Sequence, residues 1–220
     1  MSGTRLIIGN KNFSSWSMRP WLLLKHFDIQ FEEVSIALYQ GNTAERLGPL
    51  SPSLKVPALL HHETTVWDSL AICEYVSEAL LGGKGWPASP RKRATARSVC
   101  AEVHSEFPHL KKDWPMNCKA TVDLFVSEPI AEEIARIDAI WSCCRRKHGI
   151  GGEYLFGRFS IADCMYAPMA LVLRSYGAVL SAEAQHYADT LLAHPSVQDW
   201  ISRGQAEDET GAGLGFVSNM

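Results

Sequence analysis

Residues 5–27 read RLIIGNKNFSSWSMRPWLLLKHF and predict a strand, a loop and a helix in succession. The apolar run 5–8 is bounded by turn residues, which is typical of a buried strand. The helix begins with serines at Ser14, has Pro20 in its first turn and ends with cations before Phe27. These are ordinary helix boundary signals. The stretch therefore indicates α/β organisation in the first part of the chain.

The same alternation of strands and helices continues to about residue 82. Residues 32–38 alternate well enough for a second strand, and a short helix fits within the polar region that follows. A hairpin is predicted over 56–67, and Asp68 with Ser69 caps a helix over 70–81. The predicted order is β-α-β-α-β-β-α. We expect an α/β domain over 1–82 and a Gly- and Pro-rich linker over 83–92.

Helical periodicity dominates from about Arg91 onward, where strand signals disappear. The clearest case is a helix that starts after Ser127 and ends near Gly149, with one apolar stripe along its length. The sequence therefore predicts a second, all-helical domain over 93–220.

A second helix of this domain is expected at its centre. Ser160 and Asp163 form a start resembling a capping box, with Asp in place of the usual Glu or Gln, and the largely apolar helix reaches about Tyr176. Such a helix should be buried. A last helix is predicted after Pro195, and the glycines of 211–215 suggest a loose tail.

Composition and charge exclude several classes of protein. The chain has 220 residues, of which 46% are hydrophobic and 20% charged, as in ordinary globular proteins. The formal charge is −3, from 21 Lys and Arg against 24 Asp and Glu, and it provides no basic field for nucleic acid or membranes. The N-terminus lacks the features of a secretory signal. We therefore expect a cytoplasmic protein that binds neither nucleic acid nor membrane.

Neither a metal site nor a disulfide framework is indicated. The six cysteines form no CxxC pair and are interpreted as reduced, mostly buried thiols. The eight histidines lack metal-ligand spacing. His61 and His62 would point to opposite faces of a strand, and His104 with His109 is not an i, i+4 pair. We expect no metal.

Three features of the first domain suit one kind of ligand. Ser14 lies between a strand and a helix start that favours negative charge. Asp68 can pair with an amine, while Ser69 and its backbone N–H suit a carboxylate. A cis bond between Val56 and Pro57, opening an edge strand, would turn the Val56 backbone outward to pair with a peptide. A peptide with a free amine, a free carboxylate and a thiol would satisfy all three.

Four motifs in the same order resemble the serine-type branch of the cytosolic glutathione S-transferase family. They are Ser14–Arg19, Lys55–Pro57, Asp68–Ile72 and Ser160–Asp163. The resemblance spans nearly the whole chain. It implies a thioredoxin-like N-terminal domain with a mixed four-stranded sheet, followed by a helical domain. It also implies a cytoplasmic homodimer that conjugates glutathione to a small hydrophobic electrophile in detoxification.

The resemblance assigns roles to individual residues. The hydroxyl of Ser14 is implied to donate a hydrogen bond to the glutathione sulfur, and Ser15 is the alternative one residue away. The backbone of Val56, before a cis Pro57, would pair with the cysteinyl unit. Asp68 and Ser69, as a pair, would hold the γ-glutamyl end.

The remaining assignments concern the two ends of the site. Lys55 is implied to reach the glycyl carboxylate. Trp16, Trp114 and Arg174 are candidates for the electrophile pocket, although the tryptophans equally suit packing and Arg174 suits a surface or interdomain ion pair better. Asp163 resembles the buried capping residue of the family, which serves folding and not catalysis.

Two other functions stay open. The Ser-Ser start resembles the zeta type, which includes maleylacetoacetate isomerases, but Trp16 replaces the cysteine of that motif. Residues 12–21 are closer to bacterial members of the family. The other alternative is a non-catalytic binding or interaction protein of the same fold. A mixed-disulfide mechanism is disfavoured because no cysteine is near the position of Ser14.

Overall fold

The structure of the protein, a computed structural model, describes residues 3–122 and 125–208. Its N-terminal part contains strands and helices in the predicted order. They are β1 (Thr4–Ile8), α1 (Ser15–His26), β2 (Glu32–Ser35), α2 (Thr43–Leu47), β3 (Ala58–His61), β4 (Thr64–Trp67) and α3 (Ser69–Ala79). Ser14 and Asp68 directly precede α1 and α3, as expected. The prediction that Pro20 lies in the first turn of α1 is wrong, because the helix begins at Ser15 and Pro20 is its sixth residue.

The four strands form one mixed sheet in the order β2-β1-β3-β4, which confirms the predicted architecture. Strands β1 and β2 are parallel, and the other pairs are antiparallel. Ala58 at the start of β3 pairs with Ile7 on one side and with Trp67 on the other. The end of β1, the start of β3 and the end of β4 therefore meet at one edge of the sheet.

The prediction that an edge strand opens at Val56 is wrong in its placement. Strand β3 begins at Ala58 and lies between β1 and β4. Pro57 stands just before the first paired residue, so its missing N–H costs no hydrogen bond of the sheet. The Val56–Pro57 peptide bond is cis, as expected.

The second part of the described chain is helical. It contains α4 (Pro90–Ser105), α5 (Pro108–Asp113), α6 (Glu128–His148), α7 (Ile161–Ser175), α8 (Ala182–Leu192) and α9 (Pro195–Ala206). Helix α6 has Ser127 and Gly149 at its two ends, as the sequence predicts. Helix α4 begins at Pro90, inside the range 83–92 given to the linker, because proline suits the first helical turn. The predicted tail at 211–215 lies outside the described residues.

Helix α7 forms the centre of the core. It packs against α1 of the first domain and against α4 and α8 of its own domain. At its start Ser160 and Asp163 form a complete capping box. The carboxylate of Asp163 is fully buried, and burial raises its pKa to about 6. The central, buried position expected for this helix is thus confirmed.

Candidate functional site

The loop between β1 and α1 is fixed by residues from the end of the described chain. The carboxylate of Glu207 accepts hydrogen bonds from the backbone N–H groups of Lys11 and Asn12, at 2.6 and 3.0 Å. The side-chain oxygen of Asn12 accepts one from the Cys118 N–H at 2.9 Å. Ser14 therefore follows a loop that is held by two segments of the helical part of the chain.

The two candidate serines occupy different environments. Ser14 is the residue before α1, and its side chain does not cap the helix. Its Oγ donates to Ser17 Oγ at 2.8 Å, and Ser17 Oγ also accepts from the Gly9 N–H at 3.1 Å. Ser14 is only 5% exposed, whereas Ser15 is half-buried. Ser14 thus belongs to a hydroxyl pair, and Ser15 faces a cavity described below.

Asp68 stands at the start of α3 in an unusual backbone conformation. Its φ of 76° lies in the left-handed region, which residues other than glycine rarely adopt outside functional or tightly turned sites. Its Oδ1 accepts from the N–H groups of Leu70 and Ala71, at 2.9 and 3.2 Å. Its Oδ2 lies 3.1 Å from Nε2 of His104 on α4. The carboxylate is exposed, so one oxygen serves the helix and the other faces the site.

Arg19 connects the starts of α1 and α3. Its guanidinium is buried, lies 4.2 Å over the ring of Trp16 and donates from Nη1 to Ser69 Oγ at 3.4 Å. Burial lowers its pKa to about 10. Among the residues that the structure describes, its Nε has no hydrogen-bond partner. Trp16, Arg19 and Ser69 therefore form one packed group beside Asp68.

The residues around the cis bond lie at the same edge of the sheet. Val56 is half-buried and Lys55 is exposed. The carbonyl of Lys55 accepts a hydrogen bond from Ser51 Oγ at 2.7 Å, which fixes the backbone just before Val56. Because Ala58 pairs with Trp67, this segment lies beside Asp68. The sheet thus brings together the segments of all three predicted glutathione contacts.

A small cavity of about 70 Å³ lies between the two domains. Its lining is mostly apolar and comes from α1, α5, the segment after α5, and α7. The lining residues are Ser15, Trp16, Arg19, Leu110, Lys111, Trp114, Pro115, Met116, Pro168, Met169 and Val172. Trp16 and Trp114, both predicted here, are therefore brought together.

Arg174, the third residue predicted for this pocket, does not line the cavity. Its side chain is exposed. Val172, two positions earlier on α7, does line it. Two residues apart on a helix are separated by about 200° around the axis, so Arg174 faces away.

The sequence missed two basic residues of this region. Lys111 lines the cavity, 5.4 Å over the Trp16 ring, and donates from Nζ to the His104 carbonyl at 2.9 Å. Burial, and then the charge of Arg19, lowers its pKa to about 8. The His104 ring lies 5.2 Å from Trp16, and burial lowers the pKa of His104. No motif marks them, because tertiary packing alone brings α4 and α5 to the site.

The part of the chain that the structure describes holds neither a cluster of metal ligands nor a membrane-spanning helix. In 3–122 and 125–208, no group of three or more His, Cys, Asp or Glu could hold a metal ion. In the same residues, no helix is both long enough and apolar enough to cross a membrane. The six cysteines are free, and all but Cys143 are buried.

The comparison with protein families finds one match in the N-terminal domain. Residues 13–79 match the family described as "Glutathione S-transferase, N-terminal domain". This segment includes the candidate serines, the cis Val56–Pro57 bond and the Asp68–Ser69 helix start.

Curated relatives include maleylacetoacetate isomerases. The chain is 25% identical over 158 residues to a "Probable maleylacetoacetate isomerase" of Caenorhabditis elegans, covering 70% of this chain and 73% of the relative. It is 34% identical over 98 residues to the "Maleylacetoacetate isomerase" of Rattus norvegicus, covering 44% and 45%. The match to the rat enzyme therefore spans less than half of either chain.

Solved structures share the fold over nearly the full length. A glutathione transferase homologue from Burkholderia gl BGR1, crystallised with bound glutathione, matches with a TM-score of 0.70 and 24% identity. The match covers 93% of this chain and 99% of that one. At this identity the likeness shows the fold, and it extends through both domains.

Proposed function

Because the chain belongs to the glutathione S-transferase family, we propose that it activates the thiol of glutathione and transfers it to a small electrophile. The observation that carries the proposal is the meeting of three kinds of ligand group at one edge of the sheet. A hydroxyl suits the sulfur, a free backbone segment suits the cysteinyl amide, and an acidic helix start suits the γ-glutamyl amine. The glutathione in the Burkholderia homologue supports this assignment.

Ser14 is the proposed donor to the sulfur. A cysteine thiol has a pKa of about 8.5 and is mostly protonated at neutral pH. A hydrogen bond from a hydroxyl and the positive end of a helix both favour the thiolate, which is the nucleophile. Ser14 offers both because it precedes α1 and its side chain is not used as a cap.

The contact with Ser17 supports the donor role of Ser14. Ser14 Oγ donates to Ser17 Oγ. When Ser14 turns its proton toward the sulfur, the Ser17 hydroxyl is free to donate to Ser14 Oγ instead. This reversal keeps both buried hydroxyls hydrogen-bonded and fixes the Ser14 oxygen in place.

The amino-acid end of glutathione is assigned to the start of α3. Asp68 Oδ2 would accept a hydrogen bond from the γ-glutamyl ammonium. The same oxygen lies 3.1 Å from Nε2 of His104. The buried Ser69 hydroxyl and the α3 N-terminus suit the carboxylate of the same unit. The backbone of Val56 would pair with the cysteinyl unit, and the exposed Lys55 would reach the glycyl carboxylate.

The electrophile is assigned to the cavity beside Ser15. The sulfur lone pair forms a bond to the electrophilic carbon, the leaving group departs with its bonding pair, and the thiol proton passes to solvent. The lining is apolar apart from Ser15, Arg19 and Lys111, and the volume of about 70 Å³ favours a small group. Trp16 and Trp114 would contact it directly.

Retention on immobilised glutathione, combined with conjugation kinetics, tests the proposal. We expect the wild-type protein to bind the resin and to conjugate a small alkyl halide. Ser14→Ala should still bind but conjugate slowly. If the wild-type protein fails to bind the resin and Ser14→Ala shows the same conjugation rate as wild type, the protein is a non-catalytic member of the same fold and not a transferase.

Ser15→Ala is the matched variant for the choice between the two serines. Ser15 lines the cavity, so its loss should alter the KM for the electrophile more than the reactivity of the thiol. If Ser15→Ala instead abolishes conjugation and Ser14→Ala does not, Ser15 is the sulfur ligand.

A glutathione-dependent isomerase is the second candidate function. The names of the Caenorhabditis elegans and rat relatives favour it. In such a reaction the thiolate adds to a double bond, the bond rotates and the thiolate leaves, so glutathione is not consumed. Incubation with maleylacetoacetate distinguishes the two functions, since isomerisation depletes the substrate at constant glutathione and conjugation depletes both.

Assembly and location follow the family resemblance. We propose a homodimer that acts in the cytoplasm in detoxification. Light scattering checks the assembly: a dimeric mass is expected, and a monomeric mass contradicts it.

A further inference from the structure

The end of helix α9 contacts the loop that precedes Ser14. Trp200 on α9 is buried, and its Nε1 donates a hydrogen bond to the Lys11 carbonyl at 2.9 Å. Glu207, which directly follows α9, accepts from the N–H groups of Lys11 and Asn12 through its two carboxylate oxygens. Three backbone groups of two successive residues are therefore bonded to one short segment of the helical part of the chain.

These bonds fix the peptide groups that lead to Ser14. A carboxylate that accepts from two successive N–H groups sets the orientation of both peptide planes. Two residues later the Ser14 N–H donates to the Asn10 carbonyl at 2.9 Å, which closes the turn. The Asn10 side-chain oxygen in turn accepts from the Leu38 N–H at 2.9 Å. A shift at 11–12 would therefore move the backbone of Ser14 and, with it, the hydroxyl.

Gly204 lets α9 approach this loop closely. It is buried within the helix, where glycine is less favourable than alanine. A Cβ at this position would lie 3.1 Å from the carbonyl carbon of Lys11 and 3.2 Å from the Cα of Asn12. Both distances are tighter than ordinary van der Waals contact. Any larger residue would thus push the loop and the end of the helix apart.

The segment that carries Glu207 is itself anchored. Lys119 Nζ donates to the Glu207 carbonyl at 2.7 Å, and Gln205 Nε2 donates to the Cys118 carbonyl at 3.0 Å. Glu207 is not among the residues that line the cavity beside Ser15. The carboxylate is therefore held against the loop, and its connection to the site runs through the loop backbone.

We propose, on the basis of the donor role proposed for Ser14, that Glu207 is a positioning residue that holds the Ser14 hydroxyl where it can donate to the glutathione sulfur. A hydrogen bond weakens steeply as its angle departs from linear. A donor that is fixed in advance stabilises charge without reorganisation. Loss of the Glu207 carboxylate should therefore reduce the reactivity of the thiol and leave the binding of the peptide unchanged.

Thiolate absorbance against pH, measured on bound glutathione in wild type and Glu207→Ala, tests this proposal. We expect the thiol pKa to rise by about one unit in the variant and kcat for conjugation to fall about tenfold. Trp200 still bonds the Lys11 carbonyl, so the loop should shift and not unfold. The affinity for S-hexylglutathione, a thioether without a thiol proton, should be unchanged because Val56 and the start of α3 are untouched.

Three further variants sharpen the test. Glu207→Gln keeps the size and one acceptor oxygen, so its thiol pKa should lie between those of wild type and Glu207→Ala. Gly204→Ala leaves the carboxylate in place and displaces the loop, so it should also raise the thiol pKa. Asp199→Ala is the matched control: this carboxylate lies on α9 and pairs with Arg203 of the same helix, so its loss should leave the thiol pKa and kcat unchanged.

Two results would overturn the proposal. One is an unchanged thiol pKa in Glu207→Ala when Ser14→Ala raises it. The other is a loss of S-hexylglutathione affinity equal to the loss of kcat, which would assign Glu207 to folding alone. If neither Ser14→Ala nor Glu207→Ala changes the thiol pKa, thiol activation by Ser14 fails together with the role of Glu207.

Discussion

Helices α1 and α7 both begin after a serine, and the two starts are built in opposite ways. At α7 the serine and Asp163 close a complete capping box inside the core. At α1 the side chain of Ser14 leaves the helix uncapped and pairs with Ser17 instead. At α7 the side chains form hydrogen bonds with the backbone of the helix start. At α1 the Ser14 hydroxyl and the positive end of the helix remain available to a ligand.

This difference separates a folding role from a binding role for the same residue type. We call a helix start closed when side chains cap it, as at α7, and open when no side chain does, as at α1. A closed start contributes stability and offers little to a ligand. An open start costs some stability and provides an anion site. Variants at α7 should therefore act on the free energy of unfolding, and variants at α1 on glutathione chemistry.

The largest expected effect is on stability, at the closed start. Asp163 accepts from the N–H groups of Leu155 and Ser160, from Ser160 Oγ and from the Tyr187 hydroxyl. Asp163→Ala leaves these buried donors unsatisfied and should lower the free energy of unfolding by about 4 kcal/mol. Urea denaturation measures the change.

Asp189→Ala is the control for the loss of a carboxylate. Asp189 is exposed on α8 and accepts one hydrogen bond, from Gln185. Its replacement should change stability by no more than about 0.5 kcal/mol. Equal effects for Asp163 and Asp189 would contradict the structural role of the capping box.

The second prediction concerns activity at the open start. Ser14→Ala should lower kcat/KM for conjugation about 100-fold, which corresponds to about 2.7 kcal/mol of transition-state stabilisation. Its free energy of unfolding should fall by no more than about 1.5 kcal/mol, because one neutral hydrogen bond is lost. If Ser14→Ala lowers the free energy of unfolding by as much as it lowers transition-state stabilisation, Ser14 serves folding and not catalysis.

The third prediction uses another closed start, at α9. His194 Nδ1 accepts from the Ser196 N–H at 3.2 Å, and His194 Nε2 lies 3.0 Å from His26 Nδ1 on α1. Burial, and then His26, lowers the pKa of His194 to about 4. The unfolded chain therefore binds more protons, and stability falls as pH drops from 6.5 toward that value.

Urea denaturation at several pH values measures this effect. Between about pH 7 and pH 5 the free energy of unfolding should fall by about 2 kcal/mol from His194 alone. His194→Asn keeps a capping side chain without titrating, so its pH dependence should be flatter. His186→Asn, at an exposed position, should keep the wild-type slope. An unchanged slope in His194→Asn rules out this histidine as the source.

The smallest expected effect is the difference in stability between losing a serine that caps its helix and losing one that does not. Ser160→Ala removes a capping hydroxyl and should cost about 1 kcal/mol of stability. Ser89→Ala removes a serine that precedes α4 without a side-chain cap bond and should cost about 0.5 kcal/mol or less. Thermal unfolding resolves the difference, and a larger cost at Ser89 would reverse the assignment.

The elements predicted well from sequence are those with local signals. Helix α7 follows from the Ser160 start and its apolar run, and α6 from its stripe and its ends at Ser127 and Gly149. The position of β3 could not be predicted, because strand neighbours depend on pairing across the sheet. The break between α4 and α5 was not predicted, although Pro108 marks it: it occurs at Phe107, which adopts φ 64° just before this proline.

Some residues of the candidate site are likewise marked by local sequence, and others are placed there by tertiary packing alone. Ser14, the cis Val56–Pro57 bond and Asp68 are marked by local sequence, and the sheet brings their segments to one edge. Lys111 and His104 reach the site through the packing of α4 and α5 on the first domain. Their roles depend on neighbours distant in sequence, so residue type and spacing could not reveal them.

The most direct test of the open start at α1 is the thiol pKa of bound glutathione, followed by thiolate absorbance against pH in wild type and Ser14→Ala. We predict a pKa well below about 8.5 in the wild-type complex and a return toward that value in the variant. A bound thiol with the same pKa in both proteins would contradict thiol activation by Ser14.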